Sequence, residues 1–206
     1  MNINEYQNYH ETKAHTSAEF PYNTYLCSIP LDFPGVPLHW HDELELVVIK
    51  RGQGFVSVDF DKRLVHSGDI IIIPPRCLHA IEQDDTFKME YENIIFKPDL
   101  LSSGANDLCM IQYIVPLLDG SLPIEYFLTP ALGSFEALSN CIRQIDLVCA
   151  DQTPGWQLAV KSSLFNFFFL LISERQKKTV STSSNSKSLE KMKTVLKYVE
   201  NHYTEK

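Results

Sequence analysis

Between residues 20 and 98, apolar side chains alternate with polar ones or gather in short β-branched runs; beyond residue 98 they recur every three or four positions. The first pattern is that of strands and the second that of amphipathic helices. TYLCSI at 24–29 has strand composition, and LDFPGVP at 31–37 is rich in turn formers. HWHDELELVVI at 39–49 reads as one long strand, with Gly52 and Gly54 bracketing a tight turn before FVSVDF at 55–60. A short strand at 63–65 follows, then IIII at 70–73, stopped by Pro74-Pro75, then strands at 79–83 and 87–96. Phe87, Met89 and Tyr91 alternate with Lys88, Glu90 and Glu92, as on a strand with one wet face. Turns recurring about every ten residues predict an all-β sandwich or barrel over 20–98. Residues 1–19 are polar with scattered aromatics and read as a flexible or loosely docked arm.

Residues 99–176 read as a helical segment. A short helix is predicted at 107–118 and a longer one at 134–149, where Phe135, Leu138, Ile142, Ile145 and Cys149 share a face. Thr153-Pro154-Gly155 breaks the pattern, and a second long helix follows at 156–176, giving an antiparallel hairpin. Its stripe is Val160, Leu164, Phe167, Phe168 and Leu171, inside a stretch, FNFFFLLI, that is apolar on nearly every side. Such a helix needs cover from its own domain and from something else, so these five residues are the candidate dimer interface, with burial inside one chain as the alternative. KKTVSTSSNSK at 177–187 is a polar linker. The amphipathic stretch 188–206 has nothing to pack against, as expected of a first helix whose domain continues past residue 206.

Composition narrows the classes. With 206 residues, 44% hydrophobic and 21% charged, the chain suits a substantial globular domain. Five cysteines, odd in number and without CxxC spacing, favour reduced thiols and a cytoplasmic location over disulfides or a zinc knot. The N-terminus lacks the apolar core of a signal peptide, and the longest unbroken apolar run, 167–172, is too short for a bilayer. The net charge of −8 is unevenly spread: residues 1–173 carry 10 Lys+Arg against 22 Asp+Glu, and 174–206 carry 8 against 4. So acidic a body should repel phosphate backbones.

The chemistry concentrates at 39–52. On one strand His39, His41 and Glu45 share parity and would face the same space, and His79 begins a later strand. Three imidazoles and a carboxylate could hold a divalent transition metal, with Zn, Fe, Mn, Ni and Cu all suited. They could equally be the polar lining of a small-molecule pocket. Glu43 has the same parity and is a candidate pocket acid or an exposed strand-end charge; Trp40, of opposite parity, is expected to pack. Arg76 could clamp an anionic effector or sit on a surface turn. No nucleophile with an organised base and no glycine-rich phosphate loop is present, so no catalytic residue is assigned.

Gly35, His39-x-His41, Glu45 and Gly52 fit the first cupin motif, and Gly68, Pro74 and His79 fit part of the second. Arg76 stands where cupins usually have glycine, and Gln83 where they have asparagine. The resemblance implies a mainly β fold with appended helices: a jelly-roll β-barrel, His39, His41, Glu45 and His79 in its mouth, then the helical hairpin. Together with PGWQLAVKS, the linker and KMKTVLKYVENHYTEK, the chain resembles AraC/XylS-type transcriptional regulators over nearly its whole length. That implies a non-catalytic domain that senses a small-molecule effector, a sugar among the candidates, and forms a homodimer. DNA would be bound only through helix-turn-helix units beyond this chain, whose 188–206 resembles their first helix alone. The competing readings are a metal-dependent cupin enzyme, an isomerase or dioxygenase, and an assembly module with a vestigial barrel.

Overall fold

The computed structural model describes residues 3–104 and 107–177, so the predicted linker, apart from its first residue, and the terminal helix lie outside the described residues. Eight antiparallel strands form the body: β1 (Tyr22–Ile29), β2 (Gly35–His39), β3 (Leu44–Val58), β4 (Asp61–His66), β5 (Ile70–Ile73), β6 (His79–Gln83), β7 (Met89–Phe96) and β8 (Phe127–Leu128). Strands β1, β7, β3, β5 and β8 lie side by side in that order; the far half of β3 pairs with β4 and β6, and β6 with β2. β3 thus belongs to both sheets and closes them on each other. The architecture is a cupin-type, mostly antiparallel barrel followed by a helical hairpin.

Two expected boundaries are wrong, for one reason each. Gly52 and Gly54 do not reverse the chain, because β3 runs unbroken from Leu44 to Val58. A register slip between Ile49 and Arg51 against β7 bends it instead, as a β-bulge does. Gly52 sits at φ +77° with Lys88 O 1.8 Å from where a Cβ would be, so only glycine fits the bend. Nor is 39–49 one strand: β2 ends at His39, four residues turn, and β3 starts at Leu44.

β3 and β5 are buried on both faces, which explains their continuous apolar runs. Val47, Ile49, Ile71 and Ile73 point into the barrel with Ile29, Val56, Ile81, Met89 and Tyr91. Leu44, Leu46, Val48, Ile70 and Ile72 point outward and meet the helices. These are α2 (Val115–Leu118), α3 (Phe135–Asp151) and α4 (Trp156–Lys177), while the short α1 (Ile3–Gln7) packs against Trp40 instead. The short helix expected at 107–118 opens with a π-helical turn at Met110–Ile114 ahead of α2. Pro116 has no N–H to give the preceding turn, and the wider turn absorbs the defect.

The hairpin corrects the proposed dimer surface. Val160 and Leu164 are 0% exposed, Phe167 0%, Phe168 2% and Leu171 4%, all within one chain. They pack on the outer face of the barrel, with Phe96 and Phe168 ring centroids 6.4 Å apart. Side chains so covered have no area to offer a partner; on the same hairpin Leu147, Leu158 and Phe169 are the exposed ones, at 58%, 74% and 64%. Trp156–Glu174 is also long and apolar enough to cross a bilayer by length and composition, which counting unbroken runs had missed.

Phe167→Ala should cost about 3–5 kcal/mol in equilibrium denaturation, against roughly 0.5 kcal/mol or less for Leu26→Ala on the exposed side of β1. Gly52→Ala should destabilise by at least about 2 kcal/mol through strain at positive φ and collision with Lys88.

Candidate effector and metal site

The inner end of the barrel brings the four predicted residues together, by a route the single-strand picture missed. His39 closes β2, His79 opens β6 directly opposite it in register, and Glu45 is the second residue of β3. His41 stands on the turn between β2 and β3, where Arg76 N–H donates to its carbonyl at 2.8 Å. The imidazole centroids lie 4.0 Å (His39–His79), 4.9 Å (His41–His79) and 5.7 Å (His39–His41) apart. His41, Glu45 and His79 are buried, and His39 is half-buried.

Each ring is oriented by its backbone. Nδ1 of His39 faces Pro37 O at 2.8 Å, that of His79 faces Cys77 O at 2.9 Å, and that of His41 faces Glu43 O at 3.2 Å. A carbonyl only accepts, so all three Nδ1 atoms carry hydrogen and the Nε2 atoms turn inward. Glu45 Oε2 lies 3.1 Å from His41 Nε2 and 3.3 Å from His79 Nε2. The second approach is too far off axis for a hydrogen bond, and His79 Nε2 is left buried without one.

The electrostatics follow. Burial pushes His41 down, but its bond to Glu45 and the charges of Glu45, Glu43 and Glu11 outweigh this and raise it. Burial also opposes ionisation of Glu45, yet the His41 bond and the nearness of His79 hold its carboxyl well below the usual range. His39 is lowered by burial and by His79. Without a metal, the Glu45 carboxylate therefore favours the charged form of His41, while burial and His79 favour the neutral form of His39.

The donor set fits a divalent transition ion. One ring nitrogen from each of the three backbone-oriented imidazoles lies within 4.8 Å of the others, next to a buried carboxylate, and His79 Nε2 makes no well-aligned hydrogen bond among the described residues. A bound ion would supply a Lewis-acidic attachment point for an oxygen or nitrogen of a small molecule. His39, His41, Glu45 and His79 would hold it.

Two of the six candidates are misplaced. Arg76 points outward to Asp42, with Nε 2.8 Å from Oδ1, and does not line the cavity. Its φ of +62° is the left-handed conformation that explains why a glycine is usual there. Glu43 is buried behind His41, Oε2 to Nδ1 3.7 Å, rather than exposed, but it too lies off the cavity wall. The cavity itself, about 250 Å³, opens beside the quartet between walls of Phe33, Val36, Ile81 and Ile95.

Sequence reasoning missed the contributions of the arm and β7. Tyr91 and Asn93 line the cavity at alternate positions of β7: Tyr91 Oη sits beside the Cys27 thiol, and the buried Asn93 Oδ1 has no hydrogen bond among the described residues. Lys13 and His15 close it from the arm, which is firmly docked rather than loose. Tyr6 and His10 both stack on Trp40, at 4.8 and 4.2 Å between centroids. Trp40 Nε1 donates to Tyr6 O at 2.8 Å, and Asn23 Nδ2 to His15 O at 2.9 Å. The only available signal was the acid and imidazole density of HETKAH at 10–15.

A model of the AraC-like ligand binding domain matches residues 25–168. Two Bacillus subtilis proteins, the uncharacterised HTH-type transcriptional regulators YdeC and YbfI, are similar. YdeC is 24% identical over 201 residues, covering 97% of this chain and 68% of its own length. YbfI is 22% identical over 169 residues, covering 82% and 56%. This chain thus spans about two thirds of one relative and little more than half of the other. A cupin protein from Bacteroides fragilis of known structure is 22% identical, with 45% of this chain and 75% of that one covered and a TM-score of 0.35.

The His41–Glu45 pair gives a signed pH dependence in chelator-treated protein. The raised His41 stabilises fully below its ordinary 6.5 and is lost as pH rises through the raised value. The depressed Glu45 stabilises above its ordinary 4.5 and is lost as pH falls below that. Glu45→Gln should therefore cost most, about 3–5 kcal/mol, near pH 5.5, with the gap narrowing as pH rises through the raised His41 value. Thermal unfolding of both proteins across that range checks it.

Proposed function

Because the chain belongs to the family of AraC-like ligand binding domains, we propose that it is the effector-sensing portion of a bacterial DNA-binding transcription regulator. The observation that carries this reading is the small cavity beside the quartet, into which the buried Asn93 Oδ1 brings an acceptor with no hydrogen bond among the described residues, next to the Tyr91 hydroxyl. Buried polar atoms without partners cost about 1–3 kcal/mol each, and a ligand bearing hydroxyl or similar groups removes that cost. Apolar walls of Phe33, Val36 and Ile81 suit its carbon skeleton. A small sugar or small polar acid fits the size, below the roughly 300–1,000 Å³ of common ligand pockets.

The sensor acts by differential binding: an effector that prefers one arrangement of arm, barrel and hairpin shifts the population toward it. A polar chain leads outward from the cavity strand. Thr24 Oγ1 donates to Glu92 on β7, whose neighbours Tyr91 and Asn93 line the cavity. Lys50 bridges Glu92 at 2.6 Å and Asp146 of α3 at 2.9 Å. A homodimer would use the outward hairpin face bearing Leu147, Leu158 and Phe169, and DNA would be held by helix-turn-helix units such as the relatives' names describe. The protein would work in the cytoplasm, where it meets DNA.

The cupin-enzyme reading draws on the same quartet, but the similar curated proteins are named as regulators, which favours a sensor. A thermal-shift and calorimetry screen of sugars and small acids tests the sensor. One saturable ligand is expected, with affinity reduced at least about tenfold by Val36→Phe, which narrows the cavity. Turnover of the ligand, or no ligand at all, would sink it. Light scattering at high concentration should find a dimer that Phe169→Glu splits; a native monomer with and without ligand refutes that part.

A further inference from the structure

The arm brings an acid to the quartet that the barrel does not supply. Glu11 N–H donates to Trp40 O at 2.9 Å, beside the parallel bridge between His10 and Trp40, so its backbone is pinned next to the histidines. Its Oε2 lies 3.4 Å from His39 Nε2 and 3.0 Å from His15 Nε2. Neighbouring ligand atoms each about 2.0–2.1 Å from one five-coordinate ion stand roughly 2.9–3.6 Å apart. The Glu11–His39 distance, like the Glu45–His41 and Glu45–His79 distances of 3.1 and 3.3 Å, is that of two ligands sharing an ion.

Charge points the same way. Three neutral imidazoles and one carboxylate leave a divalent ion with a net positive charge in a largely buried site. A second carboxylate neutralises it, and buried charge is costly unless compensated. His79, 1% exposed, aims into the cluster an Nε2 that makes no well-aligned hydrogen bond among the described residues and lies 3.3 Å from Glu45 Oε2, a donor position a cation could use.

We propose that Glu11 is a further ligand of a divalent metal held by His39, His41, Glu45 and His79, so that metal loading clamps the N-terminal arm over the barrel mouth. This rests on the metal-binding capacity of the quartet, not on the effector. Metal availability then becomes an input to the sensor, because Glu11 would add an ion-borne tie to the docked arm whose Lys13 and His15 wall the cavity.

The test uses the full chain, stripped by chelator and titrated with Zn²⁺ or Co²⁺ alone. Calorimetry gives affinity, and tryptic cleavage after Lys13 reports the arm. In the native protein the metal should slow that cleavage. Glu11→Gln should bind about 10–100-fold more weakly and lose the protection. Glu19→Gln, an exposed arm acid, should keep both. Equal affinity and equal protection in native protein and Glu11→Gln would overturn the clamp while leaving the quartet a metal site. No metal uptake by native protein would overturn both, and leaves small-molecule binding to be judged by its own screen.

Discussion

Burial of β3 on both faces is the constraint on which the rest depends. A strand that hides Val47 and Ile49 inside the barrel and Leu44, Leu46 and Val48 outside needs a second layer over its outer side. The hairpin is that layer, and its Val160, Leu164, Phe167 and Phe168 stripe answers the outward residues of β3 and β5. Because the same strand bends at Gly52 and enters the second sheet, it also closes the barrel around the cavity. One element thus couples core, closure and site.

Glu45 occupies the single polar break in that apolar run. Its carboxylate is held in the barrel by His41 and His79, a pairing that is worth less as stability than as geometry, since desolvation offsets most of the attraction. What the pairing fixes is the direction of three imidazoles whose other nitrogens are tied to main-chain carbonyls. Sites of this kind are prepared before a ligand arrives. The arm completes the enclosure through Trp40, and its stacking on Tyr6 and His10 makes docking specific rather than a loose apolar contact.

Much of this was legible from residue pattern. The alternation over 20–98 marked the strands, and the spacing of His39, His41, Glu45 and His79 marked the cluster. Other features were hidden for physical reasons. Parity placed the histidines together on a strand that does not exist; they meet because β2 and β6 pair at His39 and His79 and a turn carries His41 inward. Arg76 looked like an anion clamp, but only backbone geometry could reveal that its side chain leaves the site while its N–H holds His41.

By itself the sequence determined the strand-then-helix order, the reduced cysteines, the ligand-type quartet and the amphipathic hairpin, because each is set by local composition and period. Only the tertiary structure decided which apolar face was spoken for. A stripe of Val160, Leu164, Phe167 and Phe168 reads alike whether it meets a second copy or its own barrel, and the outward residues of β3 and β5 settle that. It also decided that Glu11, Lys13 and His15, thirty or more residues upstream of Glu45, stand at the site. Contacts so distant in sequence arise from how the arm packs, and no local period encodes them.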